Sequence, residues 1–172
     1  MMLACGCPSR YPAWDNQDID LSGHCVLIHP IPTLMHMPLA YENYLQRQQE
    51  EVSKLELPEL WPGFTLTQTG MFRGRILRLL ENVTSPSRHV EFLSRPFELR
   101  AKLHLGDVGT IRTTVRDMQA SLLNEGKLPK ELYLSYLTCP ACQEQRGGIR
   151  VMILRRWLAS PRLMRKIKTT VS

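Results

Sequence analysis

Apolar and polar residues alternate most regularly over Phe97–Leu105. Phe97, Leu99, Ala101, Leu103 and Leu105 fall on one side, and Glu98, Arg100, Lys102 and His104 on the other. A period of two with one charged face predicts an antiparallel strand lying on a core. Phe64–Thr67, Met71–Leu80 and His89–Ser94 carry weaker forms of the same pattern. In the second of these, Arg73 and Arg75 share one face, opposite Phe72 and Ile76. Gly70, the 82–87 stretch and Arg95-Pro96 supply the intervening turns. The four segments predict a meander of about four strands.

A helical period takes over in two places. Residues 39–57 repeat Tyr41, Tyr44, Leu45, Val52 and Leu55 at near-helical spacing, and Pro58 stops the run. Residues 108–125 place Ile111, Val115, Met118 and Leu122 on one stripe, with Thr110 as candidate N-cap, Gly126 as cap and Pro129 as stop. Residues 131–138 fit strand or helix. Ile149–Leu154 reads as a strand, and Arg155–Lys168 as a basic helix broken or restarted at Ser160-Pro161. Pro8, Pro12, Pro30, Pro32 and Pro38 make residues 1–38 irregular, apart from a short buried strand at Cys25–His29. No internal repeat is visible. The expected fold is therefore α+β in one domain, 1–172. An irregular segment (1–38) precedes an antiparallel sheet packed by two or more helices (39–158) and a basic tail (159–172).

Composition narrows the class. With 43% hydrophobic and 22% charged residues, a chain of 172 is neither a disordered tail nor too short for its own core. Five cysteines are too few, and odd in number, for a disulfide scaffold. The longest apolar runs, such as Cys25–Ile28 and Val151–Leu154, predict no membrane span. The first residues lack a secretory pattern, so Asn82-Val83-Thr84 is only a formal glycosylation sequon. A cytoplasmic or nuclear setting follows, where cysteines are thiols or metal ligands.

The net charge of +6 hides an asymmetry. Residues 1–70 carry three basic and eight acidic side chains, and residues 71–172 carry 19 and eight. The basic half matches nucleic acid or an acidic protein partner. Candidate phosphate contacts are Arg73, Arg75, Arg100 and Lys102 on strands, Arg112 and Arg116 one helical turn apart, and Arg155, Arg156, Arg162, Arg165 and Lys166 near the C-terminus.

Cys139-Pro140-Ala141-Cys142 is a knuckle that aims two thiolates into one site. Zinc needs two more ligands, and Cys5-Gly6-Cys7 offers them, with His24, Cys25 and His29 as substitutes. Unmetallated thiols and a redox pair are the alternatives, although the Gly147-Gly148 turn disfavours the helix that would activate a cysteine. No histidine pair has metal-site spacing on a helix, His104 with Asp107 is the only near dyad, and no phosphate loop is present. These residues read as a non-enzymatic basic module with a candidate zinc site, contacting RNA, DNA or a nucleoprotein assembly. An adaptor using the acidic 39–57 helix and the basic tail is one alternative. An enzyme using Cys139 or Cys142 is the other.

Overall fold

The computed structural model describes residues 2–82 and 87–171. The expected 82–87 loop and the sequon at Asn82-Val83-Thr84 fall largely outside them. In chain order the elements are β1 (Gln17–Asp20), β2 (Cys25–Leu34), β3 (Met37–Pro38), α1 (Tyr41–Lys54), β4 (Leu66–Thr69), β5 (Arg73–Leu79), β6 (Val90–Phe92), β7 (Glu98–Leu105), α2 (Ile111–Asn124), β8 (Lys127–Tyr136), β9 (Arg150–Ala159) and α3 (Pro161–Thr170).

The expected α+β meander is not what forms. Among the described residues one nine-stranded antiparallel sheet dominates, in the order β1-β7-β9-β8-β4-β5-β2-β3 with β6 added beside β2, and the three helices are minor elements. Of the four segments predicted to form the meander, only β4 and β5 pair in sequence; β6 pairs with β2, and β7 lies between β1 and β9. The reason is that alternation marks a strand and its wet face but carries no information about its neighbours. The middle six strands instead form two copies of one unit. β2-α1-β4-β5 and β7-α2-β8-β9 each pair their first strand with their last and their last with their third. The two third strands then meet at Thr67 and Leu134, so an internal repeat exists that the sequence does not display.

Residues 1–38 are less irregular than their prolines imply. β2 runs ten residues through Pro30 and Pro32. Thr33 N–H bonds to Phe72 O on the β5 side, whereas Ile28 N–H bonds to His89 O on the other. Even-numbered residues of β2 therefore face outward, between β6 and β3, where the missing proline donors cost no ladder bond. In β8, Pro129 sits next to a register shift rather than ending an element. β9 takes Arg155–Leu158 into a strand, so the basic helix begins only at Pro161, with Ser160 accepting the Leu163 N–H. Thr110 does not cap α2 through its side chain. Its hydroxyl instead donates to the Asp107 carbonyl.

Side-chain parity divides the core. Val26, Leu77, Leu99 and Leu154 belong to one face, covered by Tyr11, Trp14 and Trp61. Cys25, Leu27 and Leu80 face α1, and Val151 and Ile153 face α2, so both these helices lie on the opposite face. His29 continues the Cys25–Leu27 row and so points toward α1.

Candidate functional site

Among the described residues, two groups of metal-ligating side chains converge. The first joins the chain's ends. The Sγ atoms of Cys5, Cys7, Cys139 and Cys142 all lie within 4.8 Å of one another, and Cys139 and Cys142 are 3.9 Å apart. Gly6, at φ +88°, lets the Cys5–Cys7 segment reverse, and the Cys139 N–H points at the Cys142 sulfur at 3.4 Å. Burial, reinforced by the neighbouring thiols, pushes the Cys7 thiol up strongly. At Cys139 burial acts the same way, but it is outweighed by the amide of Ala141, the Cys7 and Cys5 thiols and the Cys142 amide, which together draw that thiol down. Sulfurs bound at about 2.3 Å in a tetrahedron stand about 3.8 Å apart, so four sulfurs at these separations could hold a metal ion. His24, Cys25 and His29 are not part of this group.

The second group went unrecognised in the sequence, because 22 and 38 residues separate its members. His29 on β2, Glu51 on α1 and His89, just before β6, place their ligand atoms within 4.8 Å of one another. His29 Nε2 is 2.5 Å from Glu51 Oε2, and His89 Nδ1 is 3.0 Å from the same oxygen. Ser87 Oγ donates to Glu51 Oε1 at 2.5 Å. The imidazole centroids are 4.4 Å apart. Burial favours the neutral form of His29 and keeps it below the usual histidine range despite its bond to Glu51. Burial opposes ionisation of Glu51, but hydrogen bonds from Ser87, His89 and His29 win and hold the carboxyl below its ordinary range. The side chains of His29, Glu51 and His89 stay 11, 20 and 27% exposed, line a cleft of about 700 Å³, and share it with Arg47, Lys54 and Arg88 and with one further acid, Glu50.

Many of the basic side chains read as phosphate contacts have partners within the chain. Arg100 bonds Asp18 and Glu125, Lys102 bonds Asn16, and Arg75 bonds Gln68 and Tyr133. Arg156 bonds Glu131 and lies over the Phe97 ring, and Arg155 is half-buried opposite Arg100. Arg73, Arg112, Arg116, Arg162, Arg165 and Lys166 are exposed, the last three together on α3. His104 does not form a dyad with Asp107. Its ring meets Thr110 and Thr114 and the Asp107 main chain, while the Asp107 carboxylate accepts the Gly109 N–H.

No curated protein matches this chain. Solved structures share its fold, two of them as follows. The crystal structure of the EcmrR C-terminal domain aligns with a TM-score of 0.60 and 11% identity, over 83% of this chain and 96% of that one. The cryo-EM structure of an EcmrR–DNA complex, in EcmrR-RPo, aligns with a TM-score of 0.56 and 11% identity, over 83% of this chain and 56% of that one. The sequence pattern of the family described as bacterial hydrolase extends over residues 2–157. That span takes in both cysteine pairs and all three members of the His29–Glu51–His89 cleft and stops just short of α3, and on this match the chain belongs to the bacterial hydrolase family.

Proposed function

We propose that this chain hydrolyses an anionic substrate in the His29–Glu51–His89 cleft. The observation that carries the reading is the Glu51 carboxylate, gripped by Ser87, His29 and His89 on the floor of an open cleft rimmed by Arg47, Lys54 and Arg88. Hydrolysis needs a group that takes a proton from water beside the electrophile. Near neutrality Glu51 is ionised and His29 neutral, so the hydrogen-bonded pair together is in the state that can take up a proton. Guanidinium groups pair with carboxylates and phosphates through two parallel hydrogen bonds, so the rim suits an anionic group next to the scissile bond. The family match supports the reaction class. The test is turnover of a panel of phosphate and carboxylate esters by the wild type and by Glu51→Gln. A loss of kcat/KM of about 10²-fold or more is expected, the scale of one general base. Equal turnover by the two chains would overturn the reading.

The four-cysteine cluster reads as a closed structural zinc site, since four thiolates leave no open position for chemistry. It would tie the Cys5–Cys7 segment to the β8–β9 connection.

A second reading is favoured by α3. Arg162, Arg165, Lys166 and Lys168 stand on ten residues without an acidic one, all exposed. That helix, with Arg112 and Arg116 of α2, supports contact with RNA or DNA, and one structural relative is described in complex with DNA. Replacing Arg162 and Arg165 with Ala is expected to reduce the slope of log affinity against log salt by about 2. Unchanged affinity for single-stranded and duplex probes at several salt concentrations would remove this reading.

A further inference from the structure

The three side chains on the cleft floor are also a ligand set. We propose that His29 Nε2, Glu51 Oε2 and His89 Nδ1 bind a divalent metal ion of the zinc class, leaving its remaining position open to water and to an anion of the substrate. The proposal rests on reading this cleft as the reacting centre.

Two imidazoles and one carboxylate with an open side are a recurrent donor set for catalytic zinc and for other divalent transition metals. In such sites the donors stand about 3.3 Å apart, as bonds of about 2.0–2.1 Å require. Here Glu51 Oε2 lies 2.5 Å from His29 Nε2 and 3.0 Å from His89 Nδ1. The two Glu51 separations therefore have to open by about 0.8 and 0.3 Å to reach that spacing, while an ion replaces the bridging protons. Its supports are firm. His29 lies on a strand paired with Ile76, Glu51 precedes the buried Val52, and the His89 carbonyl accepts the N–H of Ile28 at 2.8 Å.

The outer contacts match the same reading. Ser87 donates to Glu51 Oε1, the oxygen that the His29 contact leaves aside, and its own oxygen accepts the His89 N–H at 3.2 Å. A ligating carboxylate oriented through its second oxygen is the common arrangement around bound metals. Arg47, Lys54 and Arg88 also line the cleft and outnumber Glu50, so they oppose a bare cation. An anion that bridges the ion and the rim relieves this, so metal affinity should rise when inorganic phosphate is present.

The test is cobalt(II) and zinc(II) binding to the full chain stripped of metal, followed by elemental analysis and the optical spectrum, with and without phosphate. The wild type is expected to take two ions, and only the one at the cysteines gives a thiolate-to-cobalt charge-transfer band. His89→Ala should reduce the stoichiometry from two to one and leave that band intact. Ser87→Ala should weaken the second site about 10-fold. Two ions retained by His89→Ala, or a wild type whose single ion gives the thiolate band even with phosphate present, would overturn the proposal. If Glu51→Gln loses turnover while the wild type needs no ion, the metal site fails and the hydrolase reading stands. If the ion binds and Glu51→Gln turns over normally, the hydrolase reading fails and the metal site stands.

Discussion

Arg146 Nη1 donates to the Pro8 carbonyl at 2.8 Å, joining residues 138 positions apart, and reaches the Leu137 carbonyl at 3.0 Å as well. Pro8 directly follows Cys7, and Leu137 lies two residues before Cys139. The N-terminal strap is therefore fastened to the β8–β9 connection by a main-chain clamp beside the thiol cluster. It also carries Tyr11 and Trp14 onto the sheet face that they cover.

The thiol cluster should matter to stability if it holds an ion. Cys139→Ser is expected to lower Tm by about 5–10 °C, the shift that ~2–3 kcal/mol produces in a chain of this size. A chelator should lower the wild-type Tm similarly and have little further effect on the variant. A wild-type melt indifferent to chelator would rule out a metal there.

Arg78 is a buried charge with its partners in place. It is 3% exposed, pairs with Glu59 at 2.9 Å, and bonds Gln48 and Gln49 at 2.8 Å each. Removing one side of such a pair strands the other in a low-dielectric interior. Arg78→Ala should cost about 3–5 kcal/mol, read as a lower urea midpoint. Replacing Arg78 and Glu59 together with apolar residues should cost less than the single change.

Acid should loosen the β1–α2 edge. Hydrogen bonds from Arg100, then Lys127, hold the Glu125 carboxyl at about 2. Asp18 is also lowered, since bonds from Arg100 and Lys127 outweigh its burial. Both groups are depressed in the folded state. Their contribution is therefore fully present above the ordinary carboxylate range and is lost as pH falls from there toward about 2. The Glu125 side chain is 44% exposed, so salt weakens the effect. Arg100→Met should reduce the loss of stability across this acidic window, measured as urea midpoint against pH. An unchanged acid limb would show that the network contributes nothing.

Gly126 ends α2 at φ +74°, and a Cβ there would run into Met164 of α3. Its carbonyl also accepts the Ser160 N–H at the start of that helix. Gly126→Ala should cost about 1–2 kcal/mol through left-handed strain alone. Faster amide exchange in α3 is expected as well. Unaltered exchange there would mean that the helix does not depend on this contact.

The extent of α1 and α2 was legible, because the Tyr41–Leu55 and Ile111–Leu122 stripes follow a helical period set by local geometry. Most strand segments were legible for the same reason, and so was Gly126 as a cap. The two cysteine pairs were legible as ligand chemistry, but that Cys5 and Cys7 meet Cys139 and Cys142, and not His24, Cys25 or His29, is a contact between distant segments. Pro30 and Pro32 misled, since a proline's missing donor matters only when a partner strand lies on that side. Alternation places Phe72 and Leu105 with the inward residues, yet each is 68% exposed, because alternation continues past the point where the sheet has cover. The His29–Glu51–His89 cleft left no mark in the spacing.

The sequence by itself determined the extent of α1 and α2 and the place of most strands, how its charge is divided, and which thiols could serve as metal ligands. Those properties depend on residues within a few positions of one another or on simple counting. The tertiary structure alone decided strand order, the doubled β-α-β-β unit, the pairing of Arg100 with Asp18 and Glu125, and the meeting of two histidines with one glutamate. Each of these is a contact between segments far apart in the chain, and nothing local in the sequence records which distant face a strand or helix will find.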